Sequence, residues 1–330
     1  AIQSNDAARM EELLRRLGGK GKTAEVAEAL RSLDINDPVA VNSFIRNIMQ
    51  PKAWDYITEF FYNSILSGPK THIINALSNM ITTSTSPIER GLAATVEQGL
   101  ARVQGRQVQR FFSEVSADAF GAIQGVDEGL QAAAYTLKNG ISPVQASKWE
   151  FKTHAFTGVT GRIINAPSTA LEAADALNRS INYRAALNAT IVRTAKAEGL
   201  QGQQLLERIA ELKMSPTVDI MKEANRVAEY RLFRQPAGNF TAAIMRLRDA
   251  RIKLWAGGTA PSVPNPLVFV IPFLRTPVNL LKFGMERSPL GLFQPSLWRN
   301  IVTKNPEASD QIGRIILGST IAAGAALRRR

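Results

Sequence analysis

The closest approach to a chemical motif is the stretch Gly18 to Thr23, which reads GGKGKT. It ends in the Gly-Lys-Thr triplet of phosphate-binding loops. The complete pattern needs a further glycine, separated from the Gly-Lys pair by four residues, and that position is Arg16. The stretch also joins two predicted helices and does not follow a strand. We therefore interpret it as a helix stop.

Residues for nucleophilic or metal chemistry are scarce. The chain has no cysteine and two histidines, His72 and His154, which are far apart in sequence. Neither histidine lies in a nucleophile-elbow setting, and no HExxH pattern is present. The sequence thus gives no support for a thiolate, a catalytic triad or a zinc site.

Five acids on predicted helices were considered as paired carboxylates: Glu97, Glu114, Asp118, Asp127 and Glu128. Glycoside chemistry would need one of them in an apolar cleft. Acids on helix faces are generally solvated, and no pair stands out. We predict that the chain is not an enzyme and that it uses no cofactor and no metal.

The charge is strongly basic, with 40 Lys and Arg against 28 Asp and Glu and a net charge of +12. Such an excess predicts an acidic partner, which would be nucleic acid, anionic lipid or an acidic protein surface. The alternative is that the charge only keeps the protein soluble. The excess is uneven, because residues 231–300 carry ten basic residues and two acids.

A basic aromatic segment, residues 245–255, is the first candidate contact region. If it is helical, Arg248, Arg251 and Trp255 share one face. The full set of candidate contacts to DNA or lipid is Arg246, Arg248, Arg251, Lys253, Trp255, Arg275 and Lys282. The alternative is a solvated helix face with one tryptophan in the core.

Helical periodicity dominates the chain and predicts an all-α fold, a multi-helix assembly of short and long helices with Pro-broken C-terminal segments. We expect a small N-terminal helical bundle over 1–50, a main helical domain over 51–260 and a Pro-interrupted apolar segment over 261–330. The last segment is a candidate for contact with a membrane or interface. The natural protein is expected to be longer than this chain.

Helix boundaries follow from the Gly and Pro positions. Predicted helices cover 54–66, 71–81, 87–103, 107–138, 168–198, 201–213 and 217–233. Breaks are expected at Gly68-Pro69, at Ser86-Pro87 and at Asn139-Gly140. Over 263–283, four prolines and two basic residues argue against a solitary membrane span.

Two groups of polar residues are candidate contacts between helices or between copies. Thr71 is a possible cap, and His72, Asn75 and Asn79 would share one helix face; the alternative is a buried hydrogen-bond network. A heptad seam follows over 171–195, with small residues and two asparagines, Asn178 and Asn188. The seam would serve either an oligomer or an internal helix pair.

Three stretches carry a family resemblance: FFYNSILSGPKTHIINALSN, AADALNRSINYRAALNATIVRTAKAEG and FVIPFLRTPVNLLKFGMERSPLG. Together they resemble the large internal virion proteins of short-tailed bacteriophages, the DNA-ejection or ejectosome proteins. The resemblance covers roughly residues 54–300, with gaps, and brings no catalytic residues.

The resemblance implies a structural role. Such a protein would be packed in the virion interior, would leave through the tail, and would form a homo-oligomeric channel for genome delivery across the host cell envelope, in the periplasm and inner membrane. Its partners would be further copies, other virion proteins, double-stranded DNA bound without sequence preference, and an anionic membrane. Two alternatives are a membrane-peripheral basic helical protein that binds anionic lipid, and a non-catalytic part of a large multi-domain phage enzyme.

Overall fold

A computed structural model describes residues 53–144, 155–235, 238–253, 262–270 and 274–328, together with positions 40 and 51. Helices account for most of these residues, and the predicted all-α class is confirmed. The predicted bundle over 1–50 and the loop Gly18 to Thr23 lie outside the described residues, apart from position 40.

Twelve α-helices run through the described part of the chain: α1 (Ala53–Leu66), α2 (Pro69–Gln104), α3 (Ser113–Asn139), α4 (Gly158–Ile164), α5 (Ala166–Ala197), α6 (Gly202–Met214), α7 (Val218–Arg231), α8 (Asn239–Asp249), α9 (Leu267–Val270), α10 (Arg275–Glu286), α11 (Pro295–Val302) and α12 (Glu307–Leu327). A 3-10 helix, Pro289–Phe293, lies between α10 and α11. The predicted boundaries of α1, α5, α6 and α7 agree with these to within two residues.

The predicted break at Ser86-Pro87 is wrong, because α2 continues through Pro87 as one helix of 36 residues. Proline removes a backbone donor and disfavours a helix interior. Here the hydroxyl of Ser86 and the guanidinium of Arg90 both bind the carboxylate of Asp118, at 3.4 and 2.9 Å. These tertiary bonds on either side of Pro87 hold the backbone helical.

The loop before α3 also differs from expectation, since the helix begins at Ser113 and not near residue 107. Gly105 has φ +63°, a left-handed conformation that ends α2 and that residues other than glycine rarely adopt. The other end is as predicted. The amide of Gly140, also left-handed, donates to the carbonyl of Thr136 at 2.7 Å and closes α3.

The segment after α8 does not continue as a helix. Residues Arg251–Lys253 form a short strand, β1, that pairs antiparallel with β2, Ser262–Pro264. The predicted helical face of Arg248, Arg251 and Trp255 is therefore wrong, because α8 ends at Asp249. Further on, the prolines divide the chain into the short elements that the sequence predicts.

The chain forms two compact units, each assembled from separate segments. Unit 1 contains residues 1–74, 130–177 and 248–272, and unit 2 contains 75–129, 178–247 and 273–330. The linear division at residues 50 and 260 remains a prediction. Helices α2, α3 and α5 each supply residues to both units.

Unit 2 has a core of small residues that lets its helices approach closely. One apolar cluster joins α5, α6 and α7, and it includes Ile191, Leu212 and Ile220. A second cluster joins α11 and α12 through Leu297, Ala308 and Ile315. Within the described ranges, no helix is long and apolar enough to cross a bilayer.

Candidate functional site

The interior of unit 2 holds an unusual amount of charge. Glu114 and Asp118 on α3 are almost fully buried. Arg193 donates twice to Glu114, at 2.9 and 2.6 Å, and Arg90 bridges the two carboxylates at 3.1 and 2.9 Å. Arg231 donates to Asp118 at 2.7 Å. The cluster thus ties α2, α3, α5 and α7 together.

Asp118 stays ionised in this cluster. Burial raises its pKa, but the charges of Arg231 and Arg90 and their hydrogen bonds outweigh burial, so the pKa lies below the usual value of 3.8. A buried carboxylate held by two guanidiniums is a poor acid or base near neutral pH. Its role is to hold helices together.

Glu97 occupies a second buried position, on α2. Both of its oxygens bind Arg106, at 2.5 and 2.8 Å, and its Oε2 also accepts from Ser309 of α12 at 2.6 Å. The amide of Gln109 adds a bond of 2.8 Å. Burial raises the pKa of Glu97, but these donors together lower it below 4.5.

A third pair joins the loop before α3 to α12. The guanidinium of Arg110 binds both oxygens of Asp310, with an Nη2 to Oδ2 distance of 2.6 Å. Burial opposes ionisation of Asp310, yet the charge of Arg110 keeps its pKa far below the usual range. Four carboxylates of unit 2, those of Glu97, Glu114, Asp118 and Asp310, therefore bind arginines of other helices or loops.

The fourth cluster surrounds Tyr230 of α7. Its hydroxyl donates to Glu286 and accepts from Arg287 at 2.9 Å, and the guanidinium of Arg314 lies 4.3 Å from the ring centroid. Arg287 also binds Glu89 of α2, at 2.7 and 2.8 Å. Burial raises the pKa of Tyr230 to about 12.

These clusters correct the sequence interpretation of the acids. Glu97, Glu114 and Asp118 are buried and paired with arginine, whereas Asp127 and Glu128 are exposed, as expected for acids on a helix face. No group of three or more His, Cys, Asp or Glu within the described ranges is arranged to hold a metal ion.

The arginines of these clusters were not singled out from the sequence. The composition contains one indication of buried ion pairs, because the chain has 27 arginines and 13 lysines. Arginine suits buried ion pairs, since its planar fork binds carboxylates through two bonds. Which arginines are buried depends on helix packing, which composition does not reveal.

Between Asn75 and Ile88, helix α2 has its polar and apolar faces reversed within unit 2, whereas its later part buries Ala93, Ala94 and Ala101. Three polar side chains are buried, those of Asn79, Thr82 and Ser86. The outer face of α2 is apolar and about half exposed, and it consists of Leu77, Met80, Ile81 and Ile88. A surface helix normally buries its apolar stripe. Here the stripe is instead left uncovered by the described residues of the chain.

The polar contact residues proposed from the sequence fall on α2 and α5. Asn79 is buried and donates to Asn75 at 3.4 Å, in line with an internal network. His72 is half-buried, and Thr71 does not cap the helix, because α2 begins at Pro69. The amide of Thr71 instead donates to the carbonyl of Gly68 at 3.0 Å.

The heptad seam on α5 packs within its own chain where it belongs to unit 2. Asn188 is buried and donates to Gln124 of α3 at 2.9 Å. An added Cβ on Gly125 of α3 would lie 2.7 Å from the Cα of Ile181. Asn178 is half-buried, and its carbonyl accepts from Asn182. These contacts match the internal alternative.

Three of the seven candidate contacts to DNA or lipid have described side chains, and the set as a whole stays a prediction. Arg248 is buried and paired with Asp249 at 2.7 Å, whereas Arg246 and Lys282 are exposed. Trp255, His154 and the side chains of Arg251, Lys253 and Arg275 lie outside the described part of the structure. Arg231 and Arg287 bind the carboxylates of Asp118 and Glu89 inside unit 2. Part of the positive charge of residues 231–300 is therefore neutralised within the chain.

Unit 1 contains an open aromatic groove of about 860 Å³. Its lining includes Trp54, Tyr56 and Phe60 of α1 together with Phe156 and Phe269. Tyr56 packs edge-on against Phe156, with centroids 5.0 Å apart. None of the described residues that line the groove is charged, so its described lining is apolar.

Unit 1 also has a buried carboxylate, Glu59 of α1. It accepts from Asn165 at 2.6 Å and from the backbone amide of Ala155. Asn63 donates to Asn165 at 2.8 Å, so α1 is fixed to the loop between α4 and α5. In this unit too, a buried acid joins segments that are distant in sequence.

Comparisons of the chain with protein-family models, with curated proteins and with solved structures found no match. The resemblance to phage ejection proteins therefore remains an expectation that these comparisons do not test.

Proposed function

We propose that this chain is a non-catalytic structural protein that assembles with further copies of itself, as a segment of a phage ejection channel. The observation that carries the proposal is the reversed helix α2. Its outer face is apolar and uncovered, while its inner face is polar. Apolar surface of this kind marks a site of association.

The spacing of the outer face suits another helix. Leu77, Ile81 and Ile88 follow one another at intervals of four and seven residues, the rhythm of a helix seam. The 18 residues from Thr71 to Ile88 contain no Lys, Arg, Asp or Glu. Lys70 precedes this stretch, and the charged residues that follow it, Glu89 and Arg90, are paired with Arg287 and Asp118 inside unit 2. The uncharged face with helix-seam spacing favours a second copy of α2 over a lipid headgroup region.

The interior supports a structural role. Glu97, Asp118 and Asp310 each bind arginine from another segment, so their oxygens are occupied by structural bonds. A protein built in this way keeps its helices in fixed register. That property serves an assembly that must present the same face in every copy.

Native mass of the full chain tests the proposal. We expect a defined multimer, and we expect the double variant Ile81→Glu with Ile88→Glu to be monomeric, because two charges cannot be buried without partners. The matched control is Leu206→Glu with Met214→Glu, which places the same charges on exposed apolar positions of α6.

Helical content from circular dichroism must be the same in all three proteins. A wild-type monomer at high concentration would refute assembly. A double α2 variant that keeps the multimer would refute the role of this face.

The second alternative, a non-catalytic part of a large multi-domain phage enzyme, makes a different prediction. It expects the full natural protein to turn over peptidoglycan or nucleic acid while this chain alone does not. A turnover screen on both proteins separates it from the assembly proposal.

A further inference from the structure

A second apolar surface of unit 2 differs from the outer face of α2 because it carries basic side chains. It is formed by the 3-10 helix, by α11 and by the turn that follows. We define the 292–304 surface by the exposed residues Leu292, Phe293, Trp298, Arg299, Val302 and Lys304.

The neighbouring residues of the same elements point inward and fix this orientation. Leu297 and Asn300 of α11 are buried, and Leu297 packs with Ala308 and Ile315 of α12. Gly291 faces Ile315 so closely that an added Cβ would lie 2.7 Å from its side chain. Ile301 also packs against this cluster, so the outer side of the two elements is left to Leu292, Phe293, Trp298, Arg299 and Val302.

The apolar part of the surface is exposed to an unusual degree. Phe293 is 80% exposed, Val302 is 79% exposed and Trp298 is 57% exposed. The indole nitrogen of Trp298 donates to the carbonyl of Leu292 at 2.7 Å, which joins the two elements into one patch. Single exposed apolar residues are ordinary, but a contiguous aromatic patch marks an interaction site.

The charge at this surface has one sign. Residues 288–306 contain no Asp or Glu, and their charged residues are Arg299 and Lys304. Within the described part of the chain, Arg299 has no ion-pair partner. The next acid, Glu307, faces Arg226 at 3.4 Å. An anionic partner would therefore meet no like charge from these residues.

We propose that the 292–304 surface docks on the headgroup region of an anionic lipid bilayer. Tryptophan and phenylalanine favour the boundary between headgroups and acyl chains, and arginine and lysine attract anionic headgroups. Helix α11, with eight residues, is about 12 Å long and lies along the surface. Nucleic acid is the less favoured partner, because most of this patch is apolar and two basic residues reach few phosphates.

Vesicle binding of the full chain tests this inference independently of self-assembly. The probes are phosphatidylcholine vesicles, and the same vesicles with roughly a third of phosphatidylglycerol. The wild type should bind the anionic vesicles more tightly. Phe293→Ala with Trp298→Ala should weaken binding at least about tenfold, and Arg299→Glu should weaken it roughly tenfold on anionic vesicles only.

Two controls match these variants. Lys222→Glu changes the same charge at an exposed position of α7, and Leu206→Ala removes an exposed apolar side chain of α6. Both should bind vesicles as the wild type does. The double variant Ile81→Glu with Ile88→Glu leaves the 292–304 surface intact and should still prefer anionic vesicles as a monomer. Failure of the assembly proposal and failure of the bilayer proposal are therefore distinguishable.

Unchanged vesicle binding by both 292–304 variants would overturn the inference, as would an equal loss in the controls. Double-stranded DNA is the competing probe. If Arg299→Glu loses DNA binding while the wild type ignores both vesicle types, the partner is nucleic acid and the bilayer proposal is wrong.

Discussion

Arg110 and Asp310 are joined by three hydrogen bonds, of 3.0, 3.0 and 2.6 Å, although 200 positions separate them in the chain. Their contact closes unit 2 by tying the loop before α3 to the first turns of α12. Removing one partner of such a buried pair is costly, because the other charge is left in the interior without compensation.

Asp310→Asn should reduce the free energy of unfolding by about 3 kcal/mol, because it leaves the buried guanidinium of Arg110 without a counter-charge. Urea denaturation followed by circular dichroism measures the loss. The control is Glu211→Gln, which makes the same chemical change in an exposed pair with Arg208. Its midpoint should be that of the wild type; equal losses in the two variants would contradict the special role of Asp310.

Stability should fall in acid. The pKa values of Glu97, Asp118 and Asp310 are lower in the folded chain than their ordinary values of 4.5 and 3.8. As pH decreases, the unfolded chain therefore binds protons first, and the stabilisation that is complete above pH about 4.5 is lost below it.

Urea midpoints at a series of pH values between 7 and 3 measure this dependence. Asp118→Asn should have a lower midpoint at pH 7 and a shallower decline, since one of the linked protons is gone. A wild-type midpoint that stays constant down to pH 3 would show that these carboxylates are not linked to folding.

Tyr230 should ionise above the usual pKa of a tyrosine. Burial raises its pKa to about 12 from 10.0, although Arg314 and Arg287 act in the opposite direction. Because the folded pKa is raised, its contribution to stability is complete below pH 10 and is lost as pH rises towards 12. Phenolate absorbance of the wild type and of Tyr230→Phe isolates this group; identical titration curves above pH 11 would contradict the assignment.

Two glycine-to-alanine substitutions should have opposite signs. Gly125→Ala places a Cβ 2.7 Å from Ile181 Cα and should destabilise unit 2 by about 1–3 kcal/mol through overpacking. Gly99→Ala in α2 meets no atom within 4 Å and should stabilise the helix by about 0.5–1 kcal/mol. Melting temperatures of the two variants measure both effects, and a stabilising Gly125→Ala would exclude the close approach of α3 and α5.

Much of the fold could be predicted because local signals and packing agree. Helix α3 ends at Asn139, next to Gly140, and α6 begins at Gly202, one residue from its predicted start. Helix α7 begins after Thr217, whose side chain accepts a hydrogen bond from the Ile220 amide. Each of these signals acts within a few residues of the backbone that it controls.

Errors arose where distant contacts outweigh local preference. Pro87 predicts a break, yet Asp118 holds Ser86 and Arg90 on either side of it. The basic run after Met245 predicts one helical face, yet pairing with Ser262–Pro264 draws residues 251–253 into a strand. Neither partner is adjacent in sequence, so periodicity could not reveal it.

The 292–304 surface was partly visible in sequence. Residues 261–330 were predicted to contact a membrane or interface, but the candidate contacts were placed on Arg275 and Lys282 and not on Arg299. The folded structure decides which basic side chains can meet an external partner. Lys282 lies 3.8 Å from Glu286, whereas Arg299 is exposed on the outer side of α11.

The separation of Arg110 from Asp310 has a consequence for synthesis on the ribosome. At about 5–20 residues per second, the partner of Arg110 is added roughly 10–40 s later. Until then unit 2 contains α3 but lacks α12. The guanidiniums and carboxylates that will pair later are solvated by water in the nascent chain. Contacts of such high contact order slow folding. Unit 2 should therefore close only after α12 has emerged from the ribosome.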